Sequence, residues 1–301
     1  MRVLVTGATG FIGSAVCEHL VQGGHRVSVL SRDPGAARQR LASIAEAVAW
    51  QPDAEPAPVT AIEGIDAIVH LAGESVAARW SSARKAAIRN SRILGTRNLV
   101  AGLAAATSRP RVLVSSSAIG YYGDRGNDLL TEDSAPGSGF LADVCRGWEK
   151  EARAAESLGL KVIRLRTGIV LGADGGALAQ MLTPAKLGLG GPLGSGRQWW
   201  SWIHLHDVVR LVAHCLEATG NAVYNNTSPV PVRQKEFARC LGRALGRPAF
   251  LPAPGVALRI VLGGFSSELL GSKRVIPEAT LGSGFRYRFP ELEAALEDLI
   301  S

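Results

Sequence analysis

"VLVTGATGFIGSAV", residues 3–16, decides the fold because it joins an apolar strand to a helix through three spaced glycines. Gly7 permits the tight turn, Gly10 lets the backbone approach an anion, and Gly13 lets the helix pack closely on the strand. The free N–H groups and the dipole at the start of such a helix favour a pyrophosphate. The strand–turn–helix context therefore predicts a dinucleotide site. Its predicted lining residues are Gly7, Thr9, Gly10, Phe11, Ile12 and Gly13.

Strand-like and helical stretches continue to alternate through the first two-thirds of the chain. Several of the strands are near-continuous apolar runs, which is typical of strands covered on both faces. Strands are predicted at 2–6, 26–30, 66–71, 111–115, 161–165 and 222–226, with a weaker one at 47–50. Helices are predicted at 11–23, 82–106, 140–158 and 206–219. This order predicts an α/β protein with a Rossmann-type, doubly wound parallel sheet and a small C-terminal lobe.

Glycine, proline and short helical pieces replace strong strands in two parts of the chain. We expect residues 1–171 and 203–226 to form the Rossmann domain. Residues 172–202 and 227–301 are expected to form the small lobe, which contributes to the substrate site.

Composition narrows the class of protein. The chain has 301 residues, of which 47% are hydrophobic, and its formal charge is +7. Because no basic motif interleaved with aromatic residues is present, we expect no nucleic-acid binding despite this charge. No apolar run reaches the roughly 20 residues that span a bilayer, and the N-terminus starts directly in a strand, so we expect no membrane association. The four scattered cysteines predict neither disulfides nor a metal site, and a reducing cytoplasm is the expected location.

The end of the second predicted strand bears on cofactor choice. A site that prefers NAD places a carboxylate there to hold the ribose 2′-OH. Here the end carries Ser31 and Arg32, and a hydroxyl beside a guanidinium suits a 2′-phosphate. Asp33 lies near the acidic spacing, but Asp-Pro-Gly is typical of a turn or helix start. NADP(H) is therefore predicted in preference to NAD(H).

Five motifs carry a resemblance to a known family. They are "TGATGFIG" (6–13), "IVHLAG" (68–73), "GTRNL" (95–99), "VLVSSSAIGYYG" (112–123) and "WIHLHDV" (202–208). In this order and spacing the chain resembles the extended short-chain dehydrogenase/reductases, also called the NAD-dependent epimerase/dehydratase family. It is most similar to an atypical subgroup labelled epimerase-family or sugar-nucleotide epimerase proteins. The resemblance implies an NADP-type cofactor and a small lobe that closes over the substrate.

Functional residues follow from the resemblance where the motifs match. Leu71, Ala72 and Gly73 would lie along the adenosine half of the cofactor. Ser117 matches the hydroxyl of the active site, and Ser115, nearer the strand end, is assigned to the cofactor.

The chain departs from the family pattern at three further positions. The family has a tyrosine and a lysine four residues apart, followed by a glutamate four residues past the lysine. Aligned on Glu149, those positions hold Leu141 and Cys145. The family's asparagine on the preceding helix corresponds to Arg92, for which we expect contact with the cofactor.

Leucine cannot exchange protons, so another group must do so if the chain is an enzyme. Tyr121 and Tyr122 follow Ser117 closely, and Cys145 would serve if its thiol pKa were depressed. Packing roles remain open for all three. Lys85, Arg89 and Arg92 share a helical face, which is either solvated or directed at phosphates or an anionic substrate.

Two functions remain open. One is an NADP(H)-binding, oxidoreductase- or epimerase-like protein that acts on a small hydroxyl or carbonyl compound; the other is a non-catalytic NADP(H) sensor or scaffold. A monomer and a homodimer are both compatible with the sequence.

Overall fold

The centre of the protein, in a computed structural model that describes residues 1–300, is a sheet of seven parallel strands. Within that range we number thirteen strands along the chain. They are β1 (Arg2–Thr6), β2 (Arg26–Ser31), β3 (Glu46–Ala49), β4 (Ala67–His70), β5 (Val112–Ala118), β6 (Leu129–Leu130), β7 (Lys161–Thr167), β8 (Ile169–Gly172), β9 (Trp199–Trp200), β10 (Trp202–His204), β11 (Ala222–Asn226), β12 (Val232–Arg233) and β13 (Arg274–Val275). The seven strands predicted from apolar runs are the seven strands of this sheet.

Helices connect the strands and cover the sheet. Within the described residues they are α1 (Phe11–Gln22), α2 (Pro34–Arg40), α3 (Val59–Ile62), α4 (Ser82–Ala105), α5 (Phe140–Arg153), α6 (Gly176–Lys186), α7 (Leu205–Cys215), α8 (Gln234–Ala244), α9 (Gly255–Leu262), α10 (Ser266–Leu270), α11 (Glu278–Gly282) and α12 (Leu292–Ile300). The helix predicted over 140–158 ends as α5 at Arg153, and the chain then tightens into a 3₁₀ turn at Ala154–Leu158. The helix predicted over 206–219 ends at Cys215.

The strand order confirms the doubly wound fold. Across the sheet it is β11-β7-β5-β4-β1-β2-β3, and every neighbouring pair is parallel. The chain moves outward from β1 to β3 and then returns to the other side of β1 as β4. Val5 of β1 is accordingly in register with Val29 on one side and Val69 on the other. Ligands of such sheets bind outside the carboxyl ends of the strands where the order reverses, here between β1 and β4.

Two layers of helices bury the two faces of this sheet. On one face, Leu20 of α1 and Leu211 of α7 pack against the strands. On the other face, Leu99 and Leu103 of α4 pack with Trp50. The apolar runs predicted as strands are thus covered on both sides, which fixes the open carboxyl ends of the strands in place.

A third buried cluster lies apart from the sheet. Its residues come from α6, β9, β10, α8 and α12, and include Trp200, Trp202 and Phe237. Outside the seven-stranded sheet, residues 1–300 form three two-stranded sheets, β8–β10, β9–β12 and β6–β13. The pair β6–β13 belongs to a separate small cluster with Tyr122. The boundary predicted between the Rossmann domain and the small lobe stays a prediction.

Candidate functional site

The turn after β1 holds three backbone segments in contact. Gly7 has a φ of +69°, and a Cβ at this residue would lie 2.7 Å from the backbone nitrogen of Ala72. A Cβ at Gly13 would lie 2.1 Å from the carbonyl oxygen of Gly7. Side chains at these two positions would push apart the β1 turn, the start of α1 and the turn after β4. The structure therefore has the cradle that the glycine spacing predicted.

The start of α1 offers its amide groups to an anion. Gly10 is the capping residue, its amide donates to the carbonyl of Gly7 at 3.0 Å, and no side chain among residues 1–300 caps the helix. Thr9 is half-buried and Gly10 is exposed. The amides of the first turn, at Phe11 and Ile12, are those that a helix leaves without an internal partner. This uncapped end is suited to a pyrophosphate.

A glycine-rich segment after β8 covers the side of the same turn. Cβ atoms at Gly172 and Gly175 would lie 2.6 and 2.4 Å from the ring of Phe11. The ring of Phe11 therefore packs directly on the backbone of this segment, which leads into α6. Phe11 is a predicted cofactor residue at the start of α1, and its ring also supports the segment after β8.

The end of β2 separates a cation from a carboxylate. Arg32 directly follows β2 and is exposed. The carboxylate of Asp33 caps α2 by accepting from the amide of Ala36 at 2.9 Å, as the Asp-Pro-Gly pattern predicted. The hydroxyl of Ser31 donates to the carbonyl of Asp33 at 2.9 Å. One oxygen of Asp33 is thus engaged by the helix start, and the exposed guanidinium of Arg32 lies beside the expected ribose position.

The end of β4 is fixed by a buried histidine. His70 Nδ1 lies 2.7 Å from the hydroxyl of Thr6, and Nε2 lies 3.0 Å from the hydroxyl of Thr96. Burial lowers the pKa of His70 to about 4, so the ring is neutral at pH 7. The amide of Ala72 donates to the same Thr6 hydroxyl at 3.2 Å. These bonds position residues 71–73, which are predicted to follow the adenosine half of the cofactor.

Arg92 lies directly behind that turn. Its Nη1 donates to the carbonyl of Glu74 at 2.9 Å and to that of Ile88 at 3.2 Å. The guanidinium lies 5.1 Å from the ring centre of Trp148, and a Cβ at Gly73 would lie 3.2 Å from the guanidinium carbon. Arg92 therefore supports the predicted cofactor loop from α4, whereas its direct contact with the cofactor stays a prediction.

The serine at the end of β5 belongs to a buried charge network. Ser117 donates its hydroxyl proton to Glu149 Oε1 at 2.7 Å. Arg166 donates to both oxygens of Glu149, at 2.8 and 3.0 Å. Arg164 lies 3.6 Å from the same carboxylate. Ser115, which precedes this network on β5, is fully buried in the strand. The hydroxyl of Ser117 is thus held by a paired carboxylate.

The two tyrosines of the turn after β5 have different environments. Tyr122 is fully buried, donates to Asn225 Oδ1 at 2.7 Å and accepts from Arg166 at 2.9 Å. Burial raises the pKa of Tyr122 to about 12. The ring of Tyr121 lies 3.6 Å from the guanidinium carbon of Arg166 and is only half-buried. Its burial and raised pKa favour the packing role for Tyr122, and proton transfer by Tyr122 stays a prediction.

Cys145 does not have the activated thiol that its predicted role requires. It is buried on α5, where a Cβ at Gly120 would meet both its Sγ, at 3.8 Å, and the side chain of Leu141, at 3.1 Å. Burial, together with the charge of Glu149, raises the pKa of the Cys145 thiol to about 12. A thiol with this pKa is not a thiolate at neutral pH. Because desolvation outweighs the nearby Arg92 charge, the thiol pKa is raised instead of depressed, and proton transfer by Cys145 stays a prediction.

The structure brings Ser117, Leu141, Cys145 and Tyr121 to one end of the sheet, and their roles stay predictions. The residues that sequence reasoning missed are the partners of Glu149. Arg164 and Arg166 alternate with apolar residues in "KVIRLRT", and two cations inside a buried strand indicate a buried carboxylate. That signal was present in the sequence but does not identify the partner.

Two features that would indicate other classes of protein are missing from the described residues. No helix among residues 1–300 is long and apolar enough to cross a membrane. Over the same residues, no group of three or more His, Cys, Asp or Glu side chains is arranged to hold a metal ion.

Comparison with known proteins identifies the family. Residues 3–226 match the model described as "NAD dependent epimerase/dehydratase family", and residues 253–299 match one described as "Domain of unknown function (DUF1731)". The chain is 38% identical over 308 residues to the epimerase family protein SDR39U1 of Bos taurus, covering 100% of each. It is also 38% identical to a chloroplastic SDR39U1 homologue of Arabidopsis thaliana, covering 100% of this chain and 87% of the relative.

A solved structure agrees with these matches. The crystal structure of human SDR39U1 (isoform 2) with NADPH superposes with a TM-score of 0.90 at 36% identity, covering 100% of this chain and 99% of the human one. The chloroplastic relative leaves the predicted cytoplasmic location a prediction. The resemblance places Leu141 and Cys145 at the positions of the usual tyrosine and lysine. Because the family model spans most of the chain, this protein belongs to the NAD dependent epimerase/dehydratase family, as an atypical member.

Proposed function

We propose that this chain binds NADP(H) across the carboxyl ends of β1, β2 and β4. The observation that carries the proposal is the uncapped start of α1, which Gly7 and Gly13 bring against the turn after β4. Side chains at these glycines would fill the cradle, so the residues present fit a pyrophosphate. The human relative whose crystal structure contains NADPH supports the same cofactor.

Preference for the phosphorylated cofactor is proposed from the end of β2. Asp33 would hold the ribose 2′-OH of NAD(H) if its carboxylate were free, but that carboxylate caps α2. Arg32 is exposed beside it and would bind a 2′-phosphate with a charge-assisted hydrogen bond.

We further propose hydride exchange with a small hydroxyl or carbonyl compound. Bound nicotinamide supplies the hydride donor or acceptor for this reaction. Tyr121 is the proposed proton-transfer residue, since it keeps a half-buried phenol at the end of β5 while Tyr122 and Cys145 are enclosed. Ser117 must release Glu149 before its hydroxyl can donate to a substrate oxygen, because its proton is already engaged at 2.7 Å. An anionic substrate would find the exposed Lys85 on the neighbouring helix α4.

A second function, a non-catalytic NADP(H) sensor, is favoured by the same enclosure. Of the four side chains predicted to polarise or protonate a substrate, Ser117, Tyr122 and Cys145 are buried and hydrogen-bonded or desolvated. A protein that only reports cofactor state needs the cradle and none of these groups.

Cofactor binding is tested by titrating the purified protein with NADPH and NADH and following protein fluorescence or heat. Arg32→Ala is expected to weaken NADPH binding by roughly tenfold to a hundredfold, as for loss of one charge-assisted bond, and to leave NADH binding unchanged. The matched control is Arg40→Ala, an exposed arginine at the end of α2. Equal NADPH affinity in Arg32→Ala and Arg40→Ala would remove the basis for the preference.

Catalysis is tested separately by following NADPH oxidation over a panel of aldehydes, ketones and keto acids. The enzyme proposal expects turnover that Tyr121→Phe lowers by at least roughly a hundredfold, as for loss of a general acid, with NADPH affinity retained. Tyr122→Phe and Cys145→Ala should keep the turnover. Tight NADPH binding without turnover on the whole panel favours the sensor.

A further inference from the structure

The small lobe contains a cationic cleft that lies outside the cofactor cradle and the Ser117 network. It is an open cleft of about 820 Å³ along α8. Its cationic lining residues are Lys235, Arg239, Arg243 and Arg247. Glu293 of α12 pairs with Arg243 at 3.0 Å, but no carboxylate of residues 1–300 forms an ion pair with the other three. The cleft therefore holds positive charge that the protein itself does not neutralise.

This charge is concentrated in one short stretch of sequence. Residues 233–262 contain six Lys or Arg and one Asp or Glu, which is Glu236, so their net charge is +5. The whole chain has a net charge of +7. The carboxylates of α12 border α8 on one side, where Glu293 meets Arg243. The segment that supplies the cations of the cleft is thus strongly basic, and α12 neutralises it at Arg243.

Exposed apolar side chains lie in the two chain segments, 187–189 and 250–261, that flank cleft residues Pro192 and Phe250 in sequence. They are Leu187, Leu189, Phe250, Leu251, Val256, Ile260 and Val261. Phe250 also lines the cleft and is 79% exposed, and α9 buries none of its residues. The loop around Pro192 and Gly194 runs beside the loop around Ala253. The amide of Gly194 donates to the carbonyl of Ala253, and the amide of Ala253 donates to the carbonyl of Pro192, both at 2.8 Å. We call these exposed side chains the apolar rim. Single exposed apolar residues are ordinary, whereas several in neighbouring segments are typical of a binding surface.

We propose that this α8–α9 surface, the cleft with its apolar rim, docks on an anionic lipid bilayer. The cations of α8 hold phosphate-bearing headgroups, and Phe250, Leu251 and the apolar residues of α9 enter the boundary of the acyl chains. Peripheral binding of this kind needs no membrane-spanning helix. The lack of a long apolar run in the sequence therefore does not oppose it.

Two other occupants fit this surface less well. A second copy of the chain would bring Lys235, Arg239 and Arg247 of each face together, and like charges oppose association. A nucleic acid would neutralise the cations but leave the apolar rim in water, whereas a bilayer takes up both.

The test is flotation of the full chain with phosphatidylcholine vesicles made with and without phosphatidylserine. The chain is expected to float with the anionic vesicles and to stay behind with the neutral ones. Arg239→Ala combined with Arg247→Ala should weaken binding about thirtyfold, from about 1 kcal/mol for each cation near the surface. Phe250→Ser combined with Leu251→Ser should weaken it at least about tenfold.

Matched controls remove the same side-chain types elsewhere on the surface. Arg40→Ala and Leu129→Ser, both at exposed positions outside the α8–α9 surface, should bind anionic vesicles like the parent chain. Thermal melting of every variant shows that it is folded. Equal partition into anionic and neutral vesicles, or equal loss in the controls, overturns the proposal. So does self-association that Phe250→Ser with Leu251→Ser abolishes, because the occupant is then a second copy.

Discussion

Glu149→Gln removes the charge at the centre of the network that holds Ser117. Arg166 and Glu149 are 4% and 5% exposed, and Arg166 donates to both carboxylate oxygens. With glutamine, one oxygen is replaced by an amide group whose hydrogens face those of the guanidinium. A buried ion pair that loses one partner leaves an uncompensated charge, which destabilises the fold by about 3–5 kcal/mol. We expect a loss of this size, a large part of the roughly 5–15 kcal/mol that holds a typical domain together.

The measurement is urea unfolding followed by circular dichroism, with the free energy of unfolding extrapolated to water. The matched control is Glu151→Gln on the same helix. Glu151 pairs with Arg97 at 2.7 Å, but Arg97 is 57% exposed, so solvent screens the pair. Exposed ion pairs contribute about 0–1 kcal/mol, and we expect Glu151→Gln to lie in that range.

A rescue variant separates the charge from the packing. Glu149→Leu combined with Arg166→Met removes the closest ion pair while keeping apolar volume, and it leaves Arg164, which is 16% exposed, in contact with solvent. We expect it to be more stable than Glu149→Gln alone. If Glu149→Gln and Glu151→Gln destabilise equally, or if the double variant is the least stable of the three, burial of an unpaired Arg166 is not what the network prevents.

Three further predictions concern the cradle, the buried histidine and the buried thiol. Gly13→Ala should abolish measurable NADPH binding because its Cβ would lie 2.1 Å from a backbone oxygen, whereas Gly220→Ala, which meets nothing within 4 Å, should bind normally; equal affinities in the two variants would contradict this. Stability should fall by up to about 3 kcal/mol as the pH drops from 6.5 to 4, because His70 with its pKa of about 4 takes up a proton only on unfolding. His70→Asn should flatten this slope in urea unfolding at several pH values, and an unchanged slope would count against the assignment. Cys145 should resist maleimide at pH 7.5 until urea unfolds the chain; rapid labelling of the native protein, located by peptide mapping, would show that the thiol is accessible.

The fold was predictable because its signals are local. An apolar run between two turns defines a buried strand regardless of its neighbours, and the seven strands of the sheet were all found this way. The strands β6, β9, β12 and β13 have two residues each, which is too short for any periodicity. Their pairing is set by contacts between distant parts of the chain, for example β6 with β13, so the sequence does not reveal them.

The candidate site was predictable in position but not in environment. The glycine spacing and the serine run located the cradle and Ser117, because both follow strand ends that the sequence marks. Whether Cys145 and Tyr122 meet solvent depends on packing between α5, the turn after β5 and β7. A motif gives the order of residues but not how deeply each lies, and depth sets the pKa of a thiol or phenol.

Two of the departures from the family pattern, Arg92 and Cys145, lie close enough to interact. The resemblance places a lysine at Cys145 and an asparagine at Arg92, so the family's cation lies on α5. Here the cation lies on α4, and Arg92 interacts electrostatically with Cys145. A lysine at 145 would add a second buried cation beside the first, and like charges repel strongly away from water. Relative to the pattern that the resemblance implies, the buried cation at this position comes from α4 instead of α5. Because an arginine does not release its proton at neutral pH, Arg92 is expected to remain a fixed cation beside the predicted cofactor loop and not to tune a neighbouring phenol. This favours retained cofactor binding with altered proton chemistry.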